Sequence, residues 1–264
     1  MFRKLSSSVA ALCVICLASF AQTRNVKTEL PGDEAKKVTS PLVVGEQLNY
    51  EVSWESFVVA GELTLEVKER RSFDGIDGFR VSATAESVGL VKLLGYRVKD
   101  VYESYIDAAT LQPFRATKSA QHGKRLAQDR VTIDHRKRAA QLADGRTIEI
   151  PADTYDLVGL MCAVRGMDLT VGQTRNFTLL EDGKLYPLQI TVEAKEKIRN
   201  RSDKYDVVRI TTKALSARGA KDPYKLRIYL TTDHRRLPVL ITASPSWGEV
   251  RVELTSVAGI NKKL

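Results

Sequence analysis

The chain has 264 residues, of which 43% are hydrophobic and 28% charged, so it can build a core and is no low-complexity polymer. Its formal charge is +9, a basic balance that favours anionic surfaces as neighbours. No apolar run is long enough for a membrane-spanning helix, which needs about 20 residues.

The first 21 residues read as a secretory leader. Arg3 and Lys4 are followed by a short apolar stretch, Val9 to Phe20, and Ser19-Phe20-Ala21 offers small residues for cleavage. The mature chain is expected to begin near Gln22 in the periplasm of a Gram-negative cell. Nucleic acid is therefore not an expected partner. Cys13 and Cys16 leave with the leader, and Leu12 and Ile15 before them do not suit lipid attachment. Cys162 then stands alone, which excludes an intramolecular disulfide.

Gln22 to Ser40 is polar, contains Pro31-Gly32 and shows no periodicity, so it reads as a flexible lead-in. A single β domain is expected over 41–258, with a short tail at 259–264. Leu48, Tyr50, Val52 and Trp54 alternate with polar residues, as a strand with one buried face requires. The same alternation recurs through Leu63–Val67, Phe79–Ala85 and Tyr96–Ile106. Asp74-Gly75, Asp77-Gly78, Asp144-Gly145 and Asp182-Gly183 read as hairpin turns.

Val88 to Gly95 is apolar and bounded by glycines. Two readings fit: a turn tucked into the core, or an apolar lip of Leu90, Val91, Leu93 and Leu94 at a cavity mouth. Between Arg115 and Arg146 nine basic residues meet three acidic ones, a local charge of +6. Lys124, Arg125, Arg136, Lys137 and Arg138 there form either a solvated hairpin or a surface approaching anionic lipid.

Asp153 to Arg165 places Leu157, Leu160, Met161 and Val164 on one helical face, with Asp153 able to cap the start, Asp156 near the positive end of the dipole and Gly166 ending it. Later strands are expected at 177–180, 186–197, 205–213, 224–232, 239–243 and 249–257. Consecutive strands with one helix predict a mainly β fold: an antiparallel curved sheet or half-open barrel covered by the helix at about 153–165.

Gly45-Glu46-Gln47-Leu48-Asn49-Tyr50, with Val52, Trp54 and Ala60-Gly61-Glu62, resembles the opening of a bacterial envelope family, domain of unknown function 3108. Val98–Tyr102 with Ser104 to Pro113, Asp156-Leu157-Val158, and Leu226–Leu230 with Asp233 and Arg236-Leu237-Pro238 follow in the family's order. The chain departs from the family habit at Gly159, Met161 and Cys162. The resemblance implies fold and compartment and lends no catalytic residue. The repeated strand–Asp–Leu–Pro–strand device at 107–113 and 233–238 also resembles the half-barrels of periplasmic lipoprotein carriers, at the level of fold only.

His122, His135 and His234 are far apart and without carboxylates at ligand spacing, so no metal site is expected, and nothing calls for a cofactor. Asp100 shares a strand face with Val98 and Tyr102 and needs a partner if buried; Arg165 is the preferred one. Tyr50, Trp54, Tyr96 and Tyr102 fall on inward faces, where they either fill a core or line an apolar pocket with hydroxyl handles. The leading expectation is a non-enzymatic periplasmic protein that binds an apolar or lipid-like envelope molecule. An interaction module with a filled core is the alternative and an enzyme the third. Nothing in the sequence fixes an oligomeric state.

Overall fold

The computed structural model describes residues 40–55, 57–215, 226–245 and 248–259. The leader, the lead-in before Ser40, part of the strand expected at 224–232 and the tail beyond Gly259 lie outside them. Among the described residues fifteen strands form one sheet. The first half contains β1 (Gln47–Trp54), β2 (Val58–Phe73), β3 (Ile76–Ser87), β4 (Val98–Asp107), β5 (Pro113–His122), β6 (Arg125–Asp134), β7 (Ala139–Leu142) and β8 (Thr147–Glu149). The second contains β9 (Thr154–Tyr155), β10 (Thr174–Glu181), β11 (Lys184–Asn200), β12 (Asp203–Ala214), β13 (Arg227–Thr231), β14 (Pro238–Ala243) and β15 (Val250–Ala258). Helix α1 (Gly89–Leu93) precedes β4 and helix α2 (Leu157–Gly166) follows β9.

The spatial order runs from β8 back to β1, then from β15 back to β9, and all pairings are antiparallel except β9 with β10. Period-2 burial drives this: Leu48, Tyr50 and Val52 face inward while Gln47, Asn49 and Glu51 stay wet. The sheet is open, with β8 and β9 as its edges. Yet only residues 150–153 separate these edges in sequence, so the two lie within roughly 17 Å of each other there. The sheet has curled almost into a barrel. A seam remains, crossed by side chains rather than a backbone ladder.

Helix α2 lies inside the curl, against β3 and β4 on one flank and β9 and β10 on the other. Val158 and Cys162 join the core cluster of the first flank, and Leu160, Ala163 and Val164 that of the second. The single apolar face expected of this helix thus becomes burial on nearly all sides, because sheet surrounds it. Gly159 makes the approach possible: a Cβ there would stand 3.1 Å from Pro113 Cγ and 2.9 Å from Asp156 Oδ2.

Several expectations need correction. The helix starts at Leu157, because Thr154 and Tyr155 are taken by pairing with β10 and Asp156 becomes the cap. Asp77-Gly78 is no turn; it lies within β3, where a Cβ on Gly78 would meet Ile106 O at 2.7 Å. The basic stretch is not one hairpin, because it spans β5, β6, β7 and their turns. Asp74-Gly75 and Asp182-Gly183 do form tight turns, both residues of each having positive φ.

Candidate functional site: the crown of the sheet

The β1–β2, β3–β4, β5–β6 and β14–β15 connections all lie at one end of the strands, hereafter the crown. The opposite end, the base, carries the β2–β3, β4–β5, β6–β7 and β13–β14 turns. Both Asp–Leu–Pro devices sit at the base. Asp107 Oδ1 accepts from Ala109 N and Thr110 N, and Asp233 Oδ1 from Arg235 N and Arg236 N, while Leu111 and Leu237 are buried.

At the crown the short helix α1 buries none of its residues. Leu93 is 84% exposed and Phe57, on the neighbouring β1–β2 turn, 77%. The lip is therefore a surface feature, and its alternative as a tucked core turn is set aside. Of the eleven large apolar side chains exposed among the described residues, eight belong to the crown end of the strands: Trp54, Phe57, Val59, three leucines at 90, 93 and 94, Leu126 and Leu215. Scattered exposed apolar residues are ordinary, but such concentration at one end is not.

The connections touch one another in sequence around the crown. Val88 N donates to Ala60 O at 3.2 Å, which ties α1 to β2, and Gly123 N donates to Arg97 O at 2.7 Å, which ties the β5–β6 turn to the β3–β4 connection. Glu249 N donates to Glu55 Oε1 at 2.8 Å and closes the β14–β15 loop onto β1.

The four inward aromatics are dispersed. Tyr50 and Tyr102 are buried in the core, Tyr96 is half-buried near the crown, and Trp54 is 37% exposed. Trp54 stands opposite Val250 and keeps the inward parity, but as the last residue of β1 it sits where the sheet ends. Of the four, Tyr102 alone lines the cleft at the seam. Among the described residues neither the Tyr50 nor the Tyr102 hydroxyl has a hydrogen-bond partner. Tyr50→Phe and Tyr102→Phe are therefore each expected to gain about 1 kcal/mol in urea unfolding, since a buried unpaired hydroxyl is a cost. A loss of stability instead would reveal a bound partner at that hydroxyl.

Across the seam, Lys118 Nζ reaches Glu181 Oε1 at 2.6 Å and Asp182 Oδ1 at 2.9 Å. Burial alone would lower the Lys118 ammonium, but these carboxylates hold its pKa above the ordinary value. Burial also raises the Glu181 carboxyl. Beside this bridge, Tyr102, Lys118, Asp156, Leu157 and Glu181 line a cleft of about 30 Å³. That volume suits a water or two, whereas a drug-sized or acyl ligand needs several hundred Å³.

The predicted polar residues are placed as follows. Asp100 does not pair with Arg165; it accepts from His122 Nε2 at 3.0 Å, across the β4–β5 hairpin. Arg165 instead binds Glu46 through Nη1 at 2.6 Å and Nη2 at 2.9 Å, both residues being fully buried. Sequence reading missed Glu46 because it precedes β1 and carries no strand parity. Asp156 caps α2, accepting from Val158 N at 3.0 Å and Gly159 N at 3.1 Å, with Ser104 Oγ donating to its other oxygen at 2.6 Å. The basic residues divide between the ends. Lys124 and Arg125 stand at the crown, whereas Arg136, Lys137 and Arg138 occupy the base, roughly 30 Å away along ten-residue β6. Cys162 is buried against α2's neighbours and its thiol is pushed up to about 12 by burial, which keeps it unreactive. Among the described residues no group of three metal-ligating side chains assembles.

The model of a protein family of unknown function, DUF3108, matches residues 49–255. The chain belongs to this family. Among solved structures, a β-barrel-like protein of another domain of unknown function, DUF1849, from Brucella abortus is similar at 13% identity, with a TM-score of 0.60 over 83% of this chain and 99% of that one. A DUF1089-family protein from Pseudomonas aeruginosa is similar at 12% identity, with a TM-score of 0.43 over 68% of this chain and 88% of that one. The first likeness shows that this DUF3108 member has a β-barrel-like fold. No curated protein matches the sequence.

Proposed function

We propose that this chain is an exported, non-enzymatic protein of the Gram-negative periplasm that binds an apolar or lipid-like envelope molecule at the crown. The observation that carries this reading is the gathering of eight of eleven exposed large apolar side chains at one end of the sheet. The leader-like pattern of residues 1–21 supports export. The seam cleft is too small for a lipid tail, so contact falls to the exposed lip rather than to that cleft.

The test is native mass spectrometry with lipid extraction on the mature protein from its own periplasm, followed by thermal unfolding with a panel of phospholipids and acyl chains. A co-purifying apolar molecule that raises the melting temperature is the expected result. An empty extract and an unmoved melting temperature across the panel would end the reading. A second reading, an interaction module with a filled core, draws support from the all-round burial of α2. It predicts an empty extract together with a protein partner whose capture is lost on Leu93→Ser.

A further inference from the structure

We infer that the crown seats on the surface of an anionic lipid bilayer, with α1 and the β1–β2 turn entering the headgroup layer. This names the partner for the apolar surface proposed above and rests on that reading. Three features of the crown point to a bilayer.

Its apolar side chains project rather than lie flat. Phe57, Leu90, Leu93, Leu94 and Leu126 are each more than three-fifths exposed. The first four sit on a turn and on the short helix with its cap, where they can enter an interface without moving the sheet, and Leu126 is the second residue of β6. Trp54 and half-buried Tyr96 lie just behind them. Amphipathic aromatic rings suit the headgroup level, with their apolar bodies toward acyl chains and their polar edges in water.

The charge around these residues is complementary to anionic lipid. Lys92 lies within α1, Arg97 on the following connection, and Lys124 and Arg125 at the tip of the β5–β6 hairpin, all exposed. Among the described residues none of the four has a carboxylate partner. Of the acids at this end, Glu86 pairs with Lys99 and Asp144 with Arg146, and Arg251 is shared by Glu249 and Glu253. Glu55 accepts only from the backbone of Glu249, and exposed Glu62, opposite Glu86, has no ion pair among the described residues. The four free cations gather on α1, the connection after it and the β5–β6 tip, so it is this sector of the crown that is positive.

Each cation held near an anionic surface strengthens binding roughly fivefold, and each leucine buried from water strengthens it at least about tenfold. Neither alone anchors a protein stably. Apolar insertion and a basic rim together are the combination that peripheral binding requires.

The experiment uses the mature full chain with vesicles of phosphatidylglycerol and phosphatidylcholine, against vesicles of phosphatidylcholine alone. Binding is read by co-sedimentation and by the blue shift of Trp54 fluorescence in a Trp247→Phe background. Expected are preferential binding to the anionic vesicles and weakening by salt. A loss of roughly 25-fold is expected in Lys124→Gln/Arg125→Gln, and of about 100-fold in Leu93→Ser/Leu94→Ser. All four substitutions fall on exposed positions, and unchanged thermal unfolding checks that each variant is folded.

The control is Arg136→Gln/Lys137→Gln at the base, which removes the same charge from the other end and is expected to leave binding unchanged. Equal loss in this control would reduce the effect to net charge and overturn the proposal. Absence of vesicle binding in the parent chain would overturn it as well. The extraction result decides the apolar-ligand reading separately: ligand without vesicle binding leaves a binder that works away from the membrane, and vesicle binding without ligand leaves a docked protein with no cargo.

Discussion

Arg165→Leu is expected to destabilise the fold by about 3–5 kcal/mol in urea unfolding, the largest effect of any single substitution argued for this chain. The guanidinium and the Glu46 carboxylate are both fully buried and meet in a bidentate fork. Removing one partner strands the other's charge in the core, and that penalty is what the measurement reads. The loss extends further, because Arg165 Nη2 also donates to Arg235 O at 2.9 Å, whereas the bond from Arg236 Nη1 to the backbone carbonyl of residue 165, at 3.0 Å, survives the substitution. These bonds tie the end of α2 to the β13–β14 turn and, through Glu46, to the entry of β1. For a domain of this size the expected drop in melting temperature is roughly 6–20 °C. Glu46→Leu should cost a similar amount. Glu46→Leu/Arg165→Leu should cost clearly less than the sum, since no charge is then stranded. Additive losses in the double variant would show that packing of the two side chains, rather than their pairing, holds this corner.

That pair also marks where sequence reading stops. Alternation placed Asp100 on the buried face of β4 correctly, and burial demanded a partner, so the one arginine on the covering helix was chosen. Parity tells which face a residue occupies but not what faces it from 119 positions away. Asp100's true partner, His122, follows from the β4–β5 register, in which Val98 stands opposite His122. That register was hidden because β6 is exposed on both faces near its tip, so charge masked the strands between Arg115 and Arg146. Strands β1 to β4 and most of those of the second half were legible because they have one wet and one dry face. Trp54 was placed inward by the same logic. It fails at a strand end where the β1–β2 register slips between Val52 and Ser53 and Ser53 is the buried one of the last two residues, an irregularity that alternation does not show. The lip at 88–95 was visible as an apolar run between glycines, but nothing local told a buried turn from an exposed one. What decides is that no element covers it.

Asp156→Asn is expected to make the protein more stable than the parent at pH 7.5, by about 2–3 kcal/mol, while leaving stability at pH 4 nearly unchanged. The Asp156 carboxyl is pushed up to about 6 by burial, from an ordinary value of 3.8, against the opposing pull of the Ser104 hydroxyl and the Gly159 and Val158 N–H donors. A carboxyl whose folded pKa lies above its unfolded value stabilises the fold fully below pH 4. That contribution is lost as pH rises through about 6, because the unfolded chain then ionises more readily. Asparagine keeps an oxygen for the two helix N–H groups and offers its amide to Ser104 Oγ, so the cap survives without the buried charge. Asp156→Ala, by contrast, removes the cap and orphans the Ser104 hydroxyl, and should be less stable than the parent at pH 4 by about 2 kcal/mol. Glu181, whose carboxyl burial also raises, faces the same cleft with Lys118 and should leave a residual slope in the asparagine variant. If Asp156→Asn instead weakens the fold at pH 7.5 as much as the alanine does, the carboxylate is held ionised by a partner at the seam. Asp156 would then belong with the Lys118–Glu181 bridge rather than with the helix it caps.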